Sequence, residues 1–115
     1  PAITNIGLIK YEQGNAEEAI RLWRRAMEID KEAAEPQLAV AVALYAKGDR
    51  EQGIALGETA LRMDERYANL DFLKENLWGD RLVKDAQQLL ATPRIQATIA
   101  QVQDQRSQQQ QSSPR

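Results

Sequence analysis

Thr, Lys and the carboxylates are the main side chains with which this sequence could do chemistry, because it contains no His and no Cys. The commonest general base, the commonest metal ligand and the best thiol nucleophile are therefore missing. The serines are Ser107, Ser112 and Ser113, in a Gln- and Ser-rich segment that we expect to be disordered. No loop has the ligand spacing of a calcium site. We therefore predict a non-enzymatic protein with no cofactor and no metal.

The charges of this 115-residue chain are nearly balanced, with a net charge of −2. Basic and acidic residues are interspersed, whereas a nucleic-acid partner normally requires a basic face. No apolar run approaches about 18 residues, so we expect no membrane insertion of this segment. The chain opens on Pro1 rather than Met, which indicates a fragment or a processed product. The lack of Cys leaves both cytoplasm and periplasm open as compartments.

An internal repeat organises the first 65 residues, because residues 14–30 recur at a shift of 34 residues. The matching pairs are Tyr11 and Tyr45, Gly14 and Gly48, Asn15 and Asp49, Ile20 and Ile54, Ala26 and Ala60, Met27 and Leu61, and Asp30 and Asp64. A period of this length is typical of helical repeat arrays, in which each unit buries its apolar face against the next.

Each repeat predicts two helices joined by a short turn. Apolar residues recur at helical spacing on both sides of Gly14 and Gly48. A glycine just past a helix end can take the left-handed conformation, and the Asn or Asp that follows it favours an N-cap. We therefore expect hairpins over about residues 1–33 and 34–67 of a repeat domain that extends to residue 91.

The segment after the second repeat departs from the pattern. Leu82 stands where a third glycine would fall, and Trp78-Gly79-Asp80 makes an earlier turn. Residues 68–91 therefore predict a divergent helix pair that caps the stack, because the end units of such arrays are atypical.

The last part of the chain predicts one further helix and a tail. Thr92-Pro93 is a helix start signal, and residues 92–106 predict an amphipathic extension. Its apolar stripe consists of Ile95, Ile99 and Val102. Residues 107–115 have nothing to bury, and we expect them to be disordered.

The two repeats resemble the tetratricopeptide repeat (TPR) family. The first repeat matches its pattern at Gly7, Tyr11, Gly14, Ala19, Ile20, Trp23, Ala26 and Asp30. The second repeat matches at Ala41, Tyr45, Gly48, Ile54, Ala60, Leu61 and Asp64. The resemblance implies an all-α fold, a right-handed superhelix of helical hairpins. It also implies a concave groove that is lined by the first helix of each hairpin and binds peptides or partner proteins.

Two glycines depart from the family pattern, which has Ala at Gly53 and an aromatic residue at Gly57. Glycines four residues apart lie on one face of a helix. They leave room either for a bulky neighbour, with Phe72 and Trp78 as candidates, or for a close contact with a second copy. The closing Pro of the family is also missing from both repeats.

On the family's geometry, ten residues are expected to line the groove. They are Thr4, Leu8, Tyr11, Glu12, Glu35, Leu38, Val42, Tyr45, Asn69 and Phe72. The helix over residues 34–47 is apolar nearly all round, which predicts that something covers both of its faces. We expect one of three occupants: a helix or peptide of another protein, the chain's own 93–106 helix, or another copy. The alternative is that Leu8, Val42 and Tyr45 pack deeper than the family geometry implies.

These expectations predict a protein–protein interaction module, an adaptor or scaffold. A partner's apolar anchors would enter the groove, and Glu12, Glu35 and Asn69 would set its register at the rim. The alternative function is structural self-association through the same groove or the ends of the stack. Family members that grip a C-terminal carboxylate use a set of Lys, Arg and Asn. Asn5 fits one such position, but its counterpart is Ala39, so we do not expect that clamp.

Overall fold

The described part of the chain folds into helices. The computed structural model describes residues 1–111, and these contain no β-strand. The helices are α1 (Ala2–Glu12), α2 (Ala16–Ile29), α3 (Ala34–Ala46), α4 (Arg50–Met63), a short 3-10 helix (Glu65–Ala68), α5 (Leu70–Glu75), α6 (Asp80–Leu90) and α7 (Pro93–Gln111). The predicted all-α helical-repeat class is confirmed. No helix in this described part of the chain is long and apolar enough to cross a membrane.

The two repeats fold as the hairpins α1–α2 and α3–α4, and α2 packs on α3 to stack one hairpin on the other. Gly14 and Gly48 make the turns with φ of +89° and +109°, a conformation that a Cβ disfavours. Gly7 allows the closest approach within the first hairpin, since a Cβ there would lie 2.4 Å from Nε1 of Trp23. The same Nε1–H donates a hydrogen bond of 3.1 Å to the Thr4 carbonyl.

Helix α3 is the most enclosed element of the fold. Every residue from Pro36 to Leu44 is buried, because α2, α4 and α6 surround the helix. This enclosure accounts for its nearly continuous apolar sequence, since a helix that is apolar all round needs cover on all sides.

Gly53 and Gly57 accommodate neighbours other than the expected Phe72 and Trp78. A Cβ at Gly53 would lie 2.8 Å from the Ala41 carbonyl oxygen, so this glycine lets α4 approach the backbone of α3. A Cβ at Gly57 would lie 3.1 Å from Cδ1 of Ile95 and 3.2 Å from Cδ2 of Leu89. The second glycine therefore makes room for α6 and α7 beside α4.

Helix α7 packs on α4 and ends the stack. Ile95 is fully buried there, and the Arg94 guanidinium pairs with Glu51 at 3.1 Å and Glu58 at 2.8 Å. The helix continues past the expected end of the extension at residue 106 to Gln111, in line with the good helix propensity of Gln. Residues 107–111, expected to be disordered, are thus helical, and residues 112–115 lie outside the described residues.

Candidate partner-binding surface

The face formed by the first helices of the two repeats, α1 and α3, is covered by α6. Helix α6 is amphipathic, and its buried side chains lie at helical spacing. They are Leu82, Val83, Ala86, Leu89 and Leu90. The occupant of the predicted groove is therefore the chain's own helix at residues 80–90. The 93–106 segment, which was one of the expected occupants, packs on α4 instead. Of the predicted capping pair at 68–91, α6 covers the groove, whereas α5 packs on α6 and on the 3-10 helix.

The apolar residues that were expected to line the groove are consequently enclosed in the core. Leu38 and Val42 are 0% exposed, and Leu8 and Tyr11 are 4% exposed. Thr4 is also fully buried. For Leu8 and Val42 the deeper packing considered as the alternative is what the structure shows. Leu38, Tyr11 and Thr4 are buried as well, so most of the surface of these side chains is out of reach of a partner.

Glu12 caps α6 rather than forming a free rim. Its Oε1 accepts the Arg81 backbone N–H at 2.9 Å, and its Oε2 accepts that of Leu82 at 3.0 Å. These N–H groups have no partner within their own helix, and a carboxylate at a helix N-terminus also complements the helix dipole. Gly79 permits this approach, because a Cβ at that position would lie 2.4 Å from Cδ of Glu12.

Two further polar contacts fix α6 against the hairpins. The indole of Trp78, which lies just before α6, donates from Nε1 to Oε2 of Glu35 at 3.1 Å. Burial raises the pKa of Glu35, and this hydrogen bond opposes the rise. The Tyr11 hydroxyl donates to Oδ2 of Asp85 at 2.5 Å, and burial together with this bond raises the pKa of Tyr11. Together with the Glu12 cap, these contacts hold α6 against α1 and α3. Glu12 and Glu35 were predicted, with Asn69, to set the register of a partner, but here the two carboxylates contact residues of the same chain.

The raised pKa of Glu35 predicts a pH-dependent loss of stability that Glu35→Gln should remove. Because the folded state holds the Glu35 proton more tightly than the unfolded chain, this group's contribution is fully present below pH of about 4 and is lost as pH rises through the folded pKa. The amide of Gln does not ionise and can still accept the indole N–H. We expect the variant to gain free energy of unfolding relative to the unsubstituted protein as pH rises from about 4 to 7.

Urea unfolding at a series of pH values measures this difference. Glu75→Gln, which makes the same chemical change at an exposed position of α5, is the matched control. A constant difference for Glu35→Gln would contradict the prediction.

The remaining predicted groove residues have local contacts at the edge of the fold. The Asn69 side-chain oxygen caps α5 by accepting the backbone N–H groups two and three residues along, at 2.8 and 3.3 Å. The half-buried Phe72 ring lies edge-on to Tyr67 with centroids 5.0 Å apart, and Arg66 lies over its face. Tyr45 is likewise half-buried.

An apolar cleft of about 340 Å³ remains open between α1 and the loop that precedes α6. Its lining consists of Asn5, Leu8, Ile9, Glu12, Gln13 and Leu77. Leu77 is 73% exposed and has a φ of +71°, a backbone conformation that costs energy in residues with a branched side chain. Two of the ten residues predicted to line the groove, Leu8 and Glu12, therefore line this cleft.

The cleft is continuous with exposed apolar side chains on α1. Ile9 lines the cleft and is 57% exposed, and Ile6, one turn earlier, is 47% exposed. We call Ile6, Ile9 and Leu77 the α1 patch. Clustered large apolar side chains in solvent mark interaction sites more often than isolated ones do. The helical spacing of apolar residues before Gly14 predicts a buried face there, and it gave no indication that Ile6 and Ile9 would be exposed.

The α1 patch and its cleft offer apolar contact rather than chemistry. No charged side chain belongs to the patch, and the nearby Lys10 amine pairs with Glu18 at 3.9 Å. Across residues 1–111, no group of three or more His, Cys, Asp or Glu is arranged to hold a metal ion.

Comparison with known families matches part of the repeat region. A model of the TPR repeat matches residues 7–48, from Gly7 in α1 to the glycine turn after α3. The family resemblance seen in the sequence is thereby confirmed. Repeats of this family generally mediate protein–protein interaction and are not enzymes in general. No curated protein and no solved structure matched the chain.

Proposed function

With residues 7–48 identified as TPR repeat sequence, we propose that the chain is a non-enzymatic interaction module that binds a protein partner through the α1 patch and its cleft. One observation carries this proposal: α6 fills the face between the two first helices, while Ile6, Ile9 and Leu77 stay exposed around an open apolar cleft. A partner's apolar side chains would still be buried, as the sequence predicts. The surface that buries them is the exposed face of α1 and not the groove between α1 and α3.

The cleft is suited to a partner's apolar side chain. Its lining combines the aliphatic side chains of Leu8, Ile9 and Leu77 with three polar residues, Asn5, Glu12 and Gln13. Small sites of this kind combine an apolar lining with a few polar groups that fix the orientation of the bound group. The left-handed conformation of Leu77 ends α5, where the N–H groups of Leu77 and Trp78 donate to the carbonyls of Lys74 and Leu73, and it leaves the Leu77 side chain exposed beside the cleft.

Ile9→Lys is the variant that tests this surface. Ile9 is more than half exposed, so the protein should keep its fold, whereas a lysine ammonium at the cleft wall would be desolvated by a partner. We expect partner binding to weaken by about tenfold or more, the loss of about 1.4 kcal/mol or more that a central apolar contact typically supplies.

The experiment uses the tagged full chain as bait, in three forms: unsubstituted, Ile9→Lys and Ile29→Lys. Ile29 is 70% exposed on α2, so the control makes the same chemical change away from the patch. A partner retained by the first and third baits and lost by the second supports the proposal, and calorimetry with that purified partner gives the fold-change. Equal retention by all three baits would remove the α1 patch as the binding surface.

A further inference from the structure

Two clefts border the contact between the 3-10 helix and α7. The larger has a volume of about 460 Å³ and the smaller a volume of about 410 Å³. Arg66 of the 3-10 helix and Arg106 of α7 line both clefts. Neither element belongs to the α1 patch, and both lie outside the TPR match at residues 7–48. This part of the chain therefore has a surface of its own, which the proposed function does not use.

The ion pairs at this contact are arranged with their positive ends outward. The Arg106 guanidinium pairs with Glu65, which joins α7 to the 3-10 helix, and the Arg66 guanidinium pairs with Asp64 at 2.7 Å. The two arginine side chains are 65% and 68% exposed, whereas those of Glu65 and Asp64 are 18% and 23% exposed. Because the cations face solvent and the anions are largely covered, each pair presents positive charge to a ligand.

The carboxylates of these pairs have little capacity left for a ligand. Both Asp64 oxygens accept hydrogen bonds from the Arg66 guanidinium, and Oδ1 also accepts the Arg66 backbone N–H. Oε1 of Glu65 accepts from Arg106, and its Oε2 is buried. The guanidinium of Arg66, in contrast, uses Nε and Nη2 on Asp64 and has Nη1 to spare. The clefts are therefore rich in donors and poor in acceptors, which favours an oxygen-rich ligand.

The Arg66 guanidinium is held in a fixed orientation before any ligand arrives. It lies over the face of the Phe72 ring, 5.0 Å from the ring centroid, while its Nε edge is bound by the carboxylate described above. A group that is already fixed loses less side-chain entropy when it binds. The side-chain amides of Asn69, Gln96 and Gln103 line the same cleft and add hydrogen-bonding groups around it.

We propose that this surface binds an acidic segment of a partner polypeptide, whose Asp or Glu side chains accept hydrogen bonds from Arg62, Arg66 and Arg106. We call these three residues the arginine cluster. Arg62 lines the smaller cleft and forms no ion pair within the described chain, so its positive charge is not compensated locally. A carboxylate matches the donor edge of a guanidinium, and charge-assisted hydrogen bonds of this kind are the stronger ones. A nucleic-acid backbone is a poor match, because it requires an extended basic face and this chain has a net charge of −2.

The test titrates the full chain with a short Glu peptide whose ends are blocked. NMR follows the arginine Nε–H groups and the backbone amides. The matching Gln peptide controls for contacts with the peptide main chain, and inorganic phosphate controls for other anions. We expect the Glu peptide to shift the signals of Arg66 and Arg106 at a concentration at which neither control does. Added salt should weaken the effect, because the cluster is exposed to solvent.

Two variants and a matched control locate the binding. Arg62→Gln removes a side chain that has no ion pair, so the protein should keep its thermal midpoint and bind the Glu peptide about threefold more weakly or worse. Arg66→Gln should weaken binding by at least as much, and Arg62→Gln keeps the test valid if that change loosens the 3-10 helix. Arg24→Gln makes the same chemical change at an exposed position of α2 and should leave the affinity unchanged.

The other outcomes would each overturn the inference. Equal shifts of all exposed arginines, with an equal loss for Arg24→Gln, would mean attraction by general charge. Equal shifts with the Gln peptide would assign the clefts to a peptide main chain, and tighter binding of phosphate would assign them to a phosphate group. No shift with any probe would mean that the surface binds no anion. Ile9→Lys should leave the titration unchanged, so the α1 patch and the arginine cluster are tested separately.

Discussion

Leu38→Glu is expected to unfold this protein rather than to block a binding groove. Leu38 lies on α3 and is 0% exposed, within the cluster that joins the hairpins to α6. Truncating a buried Leu to Ala costs about 2–5 kcal/mol, and a carboxylate at the same place adds the cost of burying a charged group. Domains are stable by only about 5–15 kcal/mol. The variant should therefore lose most of its helical signal at 25 °C or unfold at a far lower urea concentration.

Urea unfolding followed by circular dichroism measures this loss. Leu77→Glu is the control, since the same change at a side chain that is 73% exposed should alter the free energy of unfolding by about 0.5 kcal/mol or less. A Leu38→Glu protein with the urea midpoint of the control would mean that α6 does not cover this face in solution. The groove predicted from the sequence would then be open.

The stacking of the two hairpins could be predicted because local signals and the repeat agree. Gly14 and Gly48 mark both turns, and the structure gives both a positive φ. Trp23 and the small residue Gly7 meet at the centre of the first hairpin, which is the packing that the repeat pattern implies. Each of these features depends on residues close together in sequence, so the pattern was sufficient to place them.

The placement of α6 and α7 could not be predicted in the same way. Both helices have an apolar stripe, and a stripe indicates that a face is buried without indicating which surface covers it. The decisive contacts join residues far apart in the chain, such as Glu12 with the start of α6 and Gly57 with Ile95. Glu12 was expected at the rim of a groove, where a charged side chain can remain in solvent. Its actual partner is a helix N-terminus almost 70 residues away along the chain.

The candidate site was missed for a related reason. Ile6 and Ile9 have the same apolar character as Val40 and Ala43 at the equivalent positions of α3, so hydrophobicity alone assigns all four to a core. Only the three-dimensional arrangement shows that α3 has a helix in front of it and α1 does not. The exposed fractions of equivalent residues in the two repeats therefore differ for a reason that the sequence does not show.

Trp78→Ala is expected to destabilise the whole chain and not only the segment that it belongs to. Trp78 is 4% exposed and joins α6 to α3 through its hydrogen bond to Glu35. Removing a buried Trp side chain typically costs about 3–5 kcal/mol. Leu82, Ala86 and Leu89 of α6 are 0% exposed and belong to the same cluster as Trp23 and Leu38. Loosening α6 should therefore expose the core of both hairpins, and exchange of the amides of α1 to α4 should accelerate together with that of α6.

Hydrogen exchange followed by NMR distinguishes this outcome from local release of α6. Trp78→Phe is the matched control, because it keeps an aromatic ring and removes the indole donor. Loss of this hydrogen bond should lower the free energy of unfolding by about 0.5–1.5 kcal/mol, and the smaller ring should lower it further. If Trp78→Ala instead accelerates exchange in residues 70–90 alone, while α1 to α4 keep their protection, α6 is a separable unit. The face of α1 and α3 would then become available to a foreign amphipathic helix with the spacing of Leu82, Ala86 and Leu89. Binding in that groove would follow from displacement of α6, and the α1 patch would be a second surface rather than the principal one.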